Sequence, residues 1–156
     1  MLSFWWLYMK HTSKGNLLTD IILETFKLNG LLVSSGDQLI KELGLTSARW
    51  KVLGALSRSD NPMTVPDIAR MMGQSRQAVQ RLCNEMMADG FVLTQDNPEH
   101  QRAKLLVLTQ SGEQMYDQVM QKQIPWVNAL VPDVKENDLE TVSFVLKQLI
   151  QHLEKQ

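Results

Sequence analysis

The stretch from Thr64 to Leu82 restricts the fold more than any other part of this 156-residue chain. Ile68, Ala69 and Met72 recur at helical spacing behind a start signal made of Thr64, Pro66 and Asp67. A threonine hydroxyl accepts a hydrogen bond from an early backbone N–H, proline has no N–H to leave unpaired, and an aspartate favours the positive end of the helix dipole. Gly73 then ends the helix, because glycine enters the left-handed region without steric penalty. Ser75 is placed to cap a second helix. There Ala78, Val79, Leu82 and Met86 share the inward face, while Arg76, Gln77, Gln80, Arg81 and Asn84 point away. The stretch is therefore two short helices joined by a glycine turn.

The next twenty residues narrow the choice of fold. Asp89-Gly90 stops the second helix, Phe91 to Thr94 is expected as a strand, and Gln95 to Gln101 is a polar loop containing Asn97-Pro98. Lys104 to Leu108 is expected as the returning strand. Helix, turn, helix and hairpin is the order of a winged helix-turn-helix. Arginine and glutamine are ordinary solvated helix residues, but they also carry paired groups that match guanine and adenine edges in the major groove. With a wing behind them the second role is favoured. The N-terminal residues of such a helix lie nearest the bases, so Gln77, Gln80 and Arg81 are the candidate base readers, with Thr64, Ser75 and Arg76 holding phosphates.

Several runs resemble one family. Ser75 to Leu82, Asp89 to Val92, and Asn97 to Leu105 leading to Leu108-Thr109 are similar to the multiple-antibiotic-resistance regulator (MarR) family of bacterial transcription factors, and Leu43 to Leu53 resembles that family's second helix. The likeness covers about residues 17 to 155. It implies a homodimer on a palindromic DNA operator, usually released by a small ligand. It also implies an effector pocket between the dimerisation helices and the DNA-binding lobe, near Phe26, Trp50 and Tyr116, which would suit a flat aromatic or phenolic molecule. The wing departs from the family pattern of an acid, an arginine that probes the minor groove, a second acid and a final bracing arginine. Aligned on Arg102 as the brace, the other three positions hold Asn97, Glu99 and His100. An acid at the probing site faces DNA's negative potential, so Gln101, His100 or Lys104 is expected to meet the backbone instead.

Composition sets the outer bounds. The length suits one domain with a respectable core. One cysteine excludes an internal disulfide framework, which fits a cytoplasmic protein. The formal net charge is −1, and between Asn61 and Lys104 five basic residues face five acidic ones. DNA affinity must therefore come from the placement of charge and from two copies in a dimer. Cys83 is expected to be core packing rather than an oxidation switch. His11, His100 and His152 are scattered without metal-ligand spacing, and the nine methionines suit core filling. No nucleophile motif, phosphate loop or dinucleotide fingerprint occurs, so neither an enzyme nor a cofactor is expected. The aromatic segment 1–9 is too short for a membrane span, which needs about 20 apolar residues, and lacks the features of a signal peptide. Its expected place is a groove at the dimer interface.

The ends of the chain complete the expectation. Leu17 to Leu43 suits a long helix that Ser34-Ser35-Gly36 bends. Thr46 or Ser47 caps the next helix, and Thr109 caps one that Pro125 kinks or interrupts before Pro132-Asp133 breaks it. A last helix from about Asn137 to Glu154 carries a broad apolar face. The fold class is mostly α: a winged helix-turn-helix lobe (about 46–108) with a two-stranded wing, and long N- and C-terminal dimerisation helices (about 17–43 and 109–156) in a single domain. The expected function is a sequence-specific, ligand-responsive transcription repressor. The rival is a winged-helix module that contacts proteins without reading DNA sequence.

Overall fold

The computed structural model describes residues 11–100 and 102–155. Segment 1–9 and Gln101 lie outside the described residues. In chain order the elements are α1 (Ser13–Ile40), one 3-10 turn (Lys41–Leu43), α2 (Ser47–Ser57), α3 (Val65–Met72), α4 (Arg76–Ala88), β1 (Val92–Gln95), β2 (Leu105–Leu108), α5 (Gln110–Leu130) and α6 (Glu136–Leu153). The strands pair antiparallel with Val92 opposite Leu108 and Thr94 opposite Leu106. A mostly helical chain with a two-stranded wing is what the sequence pattern implies.

The local signals work as their chemistry predicts, with three differences. First, α1 runs through Ser34-Ser35-Gly36 as one 28-residue helix. Gly36 serves packing instead: a Cβ there would lie 2.6 Å from Ser47 Oγ, so its absence lets α2 approach α1. Thr46 caps α2, which leaves Ser47 free to join the two helices. Its hydroxyl donates to the Val33 carbonyl at 2.9 Å and its backbone N–H donates to Asp37 Oδ1 at 2.6 Å. That backbone hydrogen bond, followed by the side chain of Ser47, holds the Asp37 carboxyl below its ordinary value.

Second, both strands start one residue later than the sequence suggests. Phe91 closes the end of α4 instead of joining the ladder, because its N–H donates to the Met86 carbonyl at 2.9 Å. Its own carbonyl accepts from Thr109 N–H at 3.0 Å. Ahead of the helix-turn-helix, Met63 exchanges backbone hydrogen bonds with Leu106, adding a one-residue bridge beside the wing. Third, Pro125 lies within an uninterrupted α5. The carbonyl it leaves without a helical donor belongs to Gln121, an exposed residue whose C=O water can serve.

The chain divides into two compact units, one up to Val119 and one from Met120. The first has the core, in which Ile40, Leu53, Ile68, Val79, Met86 and Leu106 are fully buried. The second comprises the rest of α5 and α6, where no residue of α6 is buried. Leu17, Ile21, Leu28 and Leu32 of α1, and Leu139, Val142, Leu146 and Ile150 of α6, expose apolar surface. No helix among the described residues is long and apolar enough to cross a membrane.

The turn that ends α4 is also where α5 begins. Thr109 Oγ1 donates to the Gly90 carbonyl at 2.6 Å and accepts from Gly112 N–H at 3.0 Å. Arg49 pairs with Asp89 from the other side and lies over the Phe91 ring, 5.9 Å from its centroid. Gly112 has no room for a side chain, since a Cβ there would overlap the Phe91 carbonyl oxygen. The overlapped atom is backbone, so a rotamer change gives no relief. Gly112→Ala is therefore expected to destabilise the fold by about 1–3 kcal/mol, the usual range for overpacking, measured as a lower midpoint in urea unfolding.

Candidate nucleic-acid interface

The interface is built on the start of α3. Thr64 accepts a hydrogen bond from Asp67 N–H, and Asp67 Oδ2 accepts from Thr64 N–H at 3.1 Å, closing a capping box. The Thr64 hydroxyl also donates to the same carboxylate. The side chain of Thr64 first, and its backbone N–H second, hold the Asp67 carboxyl below its ordinary value. The Thr64 hydroxyl is thus engaged within the cap. Gly73, at φ 62°, turns the chain, and Ser75 starts α4 by accepting from Ala78 N–H at 3.2 Å.

In α4 the buried set is Val79, Leu82, Cys83 and Met86, so Arg76, Gln77, Gln80, Arg81 and Asn84 stay exposed. Those five residues line one side of an open groove of about 700 Å³. Thr64, Val65 and Pro66 at the start of α3 also line it, as do Thr94, Arg102, Ala103, Lys104 and Leu106 of the wing. Four of the lining side chains are cationic, Arg76, Arg81, Arg102 and Lys104, and none is a carboxylate. A second cleft of about 490 Å³, also against β2, has the reverse character: Asp60, Glu113 and Asp117 line it and no cation does. The two clefts therefore differ in the sign of the charge that lines them.

Of the residues singled out from sequence, Thr64, Arg76, Gln77, Gln80, Arg81, Arg102 and Lys104 meet in the groove. Ser75 is an exposed cap at its edge, and Gln101 is not described. Among the described residues Arg102, the expected brace, makes no ion pair. The ion pair that ties the wing is Lys104 with Asp96, which lowers the Asp96 pKa through that hydrogen bond, while Arg102 is exposed in the groove. Lys104 therefore has both roles, tie and groove cation. At the tip Glu99 is exposed, with its N–H donating to Asn97 Oδ1 at 3.0 Å. Sequence reasoning missed Thr94 and Asn84 as groove residues. Asn84 had a signal, because it sits four residues beyond Gln80 and accepts from Gln80 Nε2 at 2.9 Å.

Other candidates resolve simply. Cys83 is fully buried, and desolvation pushes its thiol up to about 11. It packs in the core, as expected. Among the described residues no group of three potential ligands could hold a metal. Trp50 and Tyr116 pack against the core, whereas Phe26 is 70% exposed. Trp50 touches the space beside Gly36, and α1 rises about 1.5 Å per residue, so Phe26 lies about 15 Å further along the helix. The single chain does not gather these three into one pocket.

A family model described as the MarR family matches residues 43–103, the whole helix-turn-helix with the first strand and loop of the wing. An uncharacterized protein of Mycobacterium tuberculosis is 33% identical over 85% of this chain and 92% of its own length. The transcriptional activatory protein BadR of Rhodopseudomonas palustris is 30% identical over 88% of this chain and 81% of its own. The chain belongs to the MarR family. Among solved structures, CouR from Rhodococcus jostii bound to p-coumaroyl-CoA superposes with a TM-score of 0.76 at 17% identity, over 84% of this chain and 92% of that one. This MarR-family protein is thus a transcription regulator with a DNA-binding fold, not an enzyme.

Two outcomes test how the interface is held together. Thr64→Ala is expected to cost about 1 kcal/mol of stability through the lost cap. Because the Asp67 pKa is depressed in the folded state, its contribution is full above the unfolded value of about 4 and is lost as pH falls through the folded one. Asp67→Asn should accordingly flatten part of the acid limb of a stability profile. Separately, Cys83 in the native protein is expected not to react with a thiol reagent at neutral pH, while the urea-unfolded chain reacts.

Proposed function

We propose that this MarR-family regulator is a homodimer that reads a palindromic double-stranded DNA operator with α4 in the major groove, and that a small aromatic effector lowers its operator affinity. The observation that carries this reading is the groove between α4 and the wing, with four cations and no carboxylate among its lining side chains. Gln77, Gln80 and Arg81 are assigned to base edges. Arg76, Ser75, Arg102 and Lys104 are assigned to phosphates, with Gln101 beside them in sequence, and Thr64 contributes by holding α3. Each good bidentate base contact supplies about 1–3 kcal/mol of discrimination, whereas a phosphate contact sets affinity and salt dependence.

The apolar surfaces of α1 and α6 support the dimer, since a second copy is the simplest cover for so much exposed leucine, isoleucine and valine. In a two-fold dimer the half-sites lie about 34–36 Å apart, one turn of DNA. A ligand that binds better to a dimer with wrongly spaced recognition helices lowers operator affinity by its differential binding. The p-coumaroyl-CoA bound to CouR supports an aromatic or phenolic class for that ligand. A site that includes Phe26 as well as Trp50 and Tyr116 needs surface from the second copy, given the position of Phe26 along α1. We take the regulator as a cytoplasmic repressor. BadR, named an activatory protein, is the counter-example among the relatives.

The test is binding to the DNA upstream of its own gene against a scrambled duplex of equal length, at two salt concentrations. Preference for the native sequence, with affinity falling as salt rises, is the expected result. Equal weak binding to both would favour the protein-contact module. Arg76→Ala should weaken binding to both duplexes and reduce the salt slope by about one, whereas Gln80→Ala should mainly erode the preference. Sedimentation should show a dimer that Ile150→Glu converts to monomer; a wild-type monomer would remove the two-fold operator from the proposal.

A further inference from the structure

We propose that Asn84 is a positioning residue for base recognition, holding the Gln80 amide so that its oxygen and one N–H together face the DNA. The proposal rests on the assignment of α4 to the major groove. Gln80 Nε2 donates to Asn84 Oδ1 at 2.9 Å, both side chains are exposed, and both line the basic groove. Residues four apart stack on one face of a helix, so the bond forms without disturbing α4.

The consequence lies in the groups the bond leaves over. The terminal torsion of a free glutamine is broad and roughly two-fold, so its amide presents oxygen or nitrogen in either sense. With one N–H held by Asn84, Gln80 keeps Oε1 and its second N–H. An acceptor beside a donor is the pair that grips adenine N6 and N7 in the major groove. An amide turned the other way would offer that edge the wrong partners. Ordering the side chain before DNA arrives also removes part of the rotamer freedom that binding would otherwise have to restrict.

Two simpler roles are distinguishable from this one. A surface pair of this kind adds little to helix stability, so a purely structural role predicts no change in base preference. Asn84 as a base reader in its own right is disfavoured by position. It lies eight residues beyond Arg76, the first residue of α4, or about 12 Å along the axis, and the N-terminal residues of a recognition helix are those nearest the bases.

The experiment selects binding sites for the purified full chain from a randomised duplex library, then measures wild type, Gln80→Ala, Asn84→Ala, the double variant and Asn84→Asp on the selected duplex and its single-base variants. Gln80→Ala should abolish discrimination at one base pair in each half-site. Asn84→Ala should reduce discrimination at that same base pair by about 3- to 10-fold, with unchanged affinity for scrambled DNA and an unchanged melting temperature. The double variant should be no worse than Gln80→Ala alone. Asn84→Asp keeps the acceptor, so it should retain the base profile while binding all DNA more weakly because of its added charge. An Asn84→Ala effect at a different base pair, additivity in the double variant, or no effect on preference would each overturn the positioning role while leaving Gln80 as a reader. If Gln80→Ala leaves every preference intact, the assignment of Gln80 fails and this proposal falls with it.

Discussion

The arrangement depends on the burial of one side of α4. Val79, Cys83 and Met86 have no exposed surface and Leu82 has little. Because successive side chains on a helix are about 100° apart, seating these residues in the core leaves Arg76, Gln77, Gln80, Arg81 and Asn84 on the opposite side. Turning α4 by one residue would drive Arg81 or Gln80 towards the core without partners, which costs several kcal/mol for a charge. The core therefore sets the orientation of the outward face more firmly than any contact made by that face.

Charge placement has the next largest effect. The formal net charge of −1 gives no hint of nucleic-acid binding. At physiological ionic strength, however, interactions between exposed charges fade over about 8 Å, so an approaching phosphate senses the groove rather than the whole chain. The groove presents only cations, whereas the carboxylates Asp60, Glu113 and Asp117 line the other cleft. Within reach of the groove, Glu85 and Asp96 pair with Arg81 and Lys104. These exposed pairs are weak enough to exchange for phosphate partners.

Signals confined to one turn of chain were legible in advance. The Thr64 cap, the Gly73 turn, the Ser75 cap and the alternation of faces in α4 are local, and the structure has them where the sequence puts them. Boundaries and breaks were less legible. Phe91 and Lys104 read as strand residues because they sit beside apolar runs, but the ladder begins after each of them. Gly36 and Pro125 read as helix breakers, yet one fills a packing requirement and the other sits inside an uninterrupted helix. Arg102 looked like a brace by its place in the wing, and Lys104 took that role because it lies across from Asp96. Nothing in the sequence indicates that Arg49 meets Asp89 across 40 positions, or that Thr109 reaches Gly90 across 19.

By itself the sequence determined the order of elements, the inward and outward faces of α4, and the family, because caps, glycine turns and helical period act through neighbours within a few residues. Only the tertiary structure decided which outward residues share a groove and that its lining holds cations and no acids. It also fastened the start of α5 to the end of α4 through Thr109 and Gly112. The physical reason is range. Caps and turns are satisfied by the adjacent backbone, whereas a groove or a junction exists only once packing brings distant segments within a few ångströms of each other.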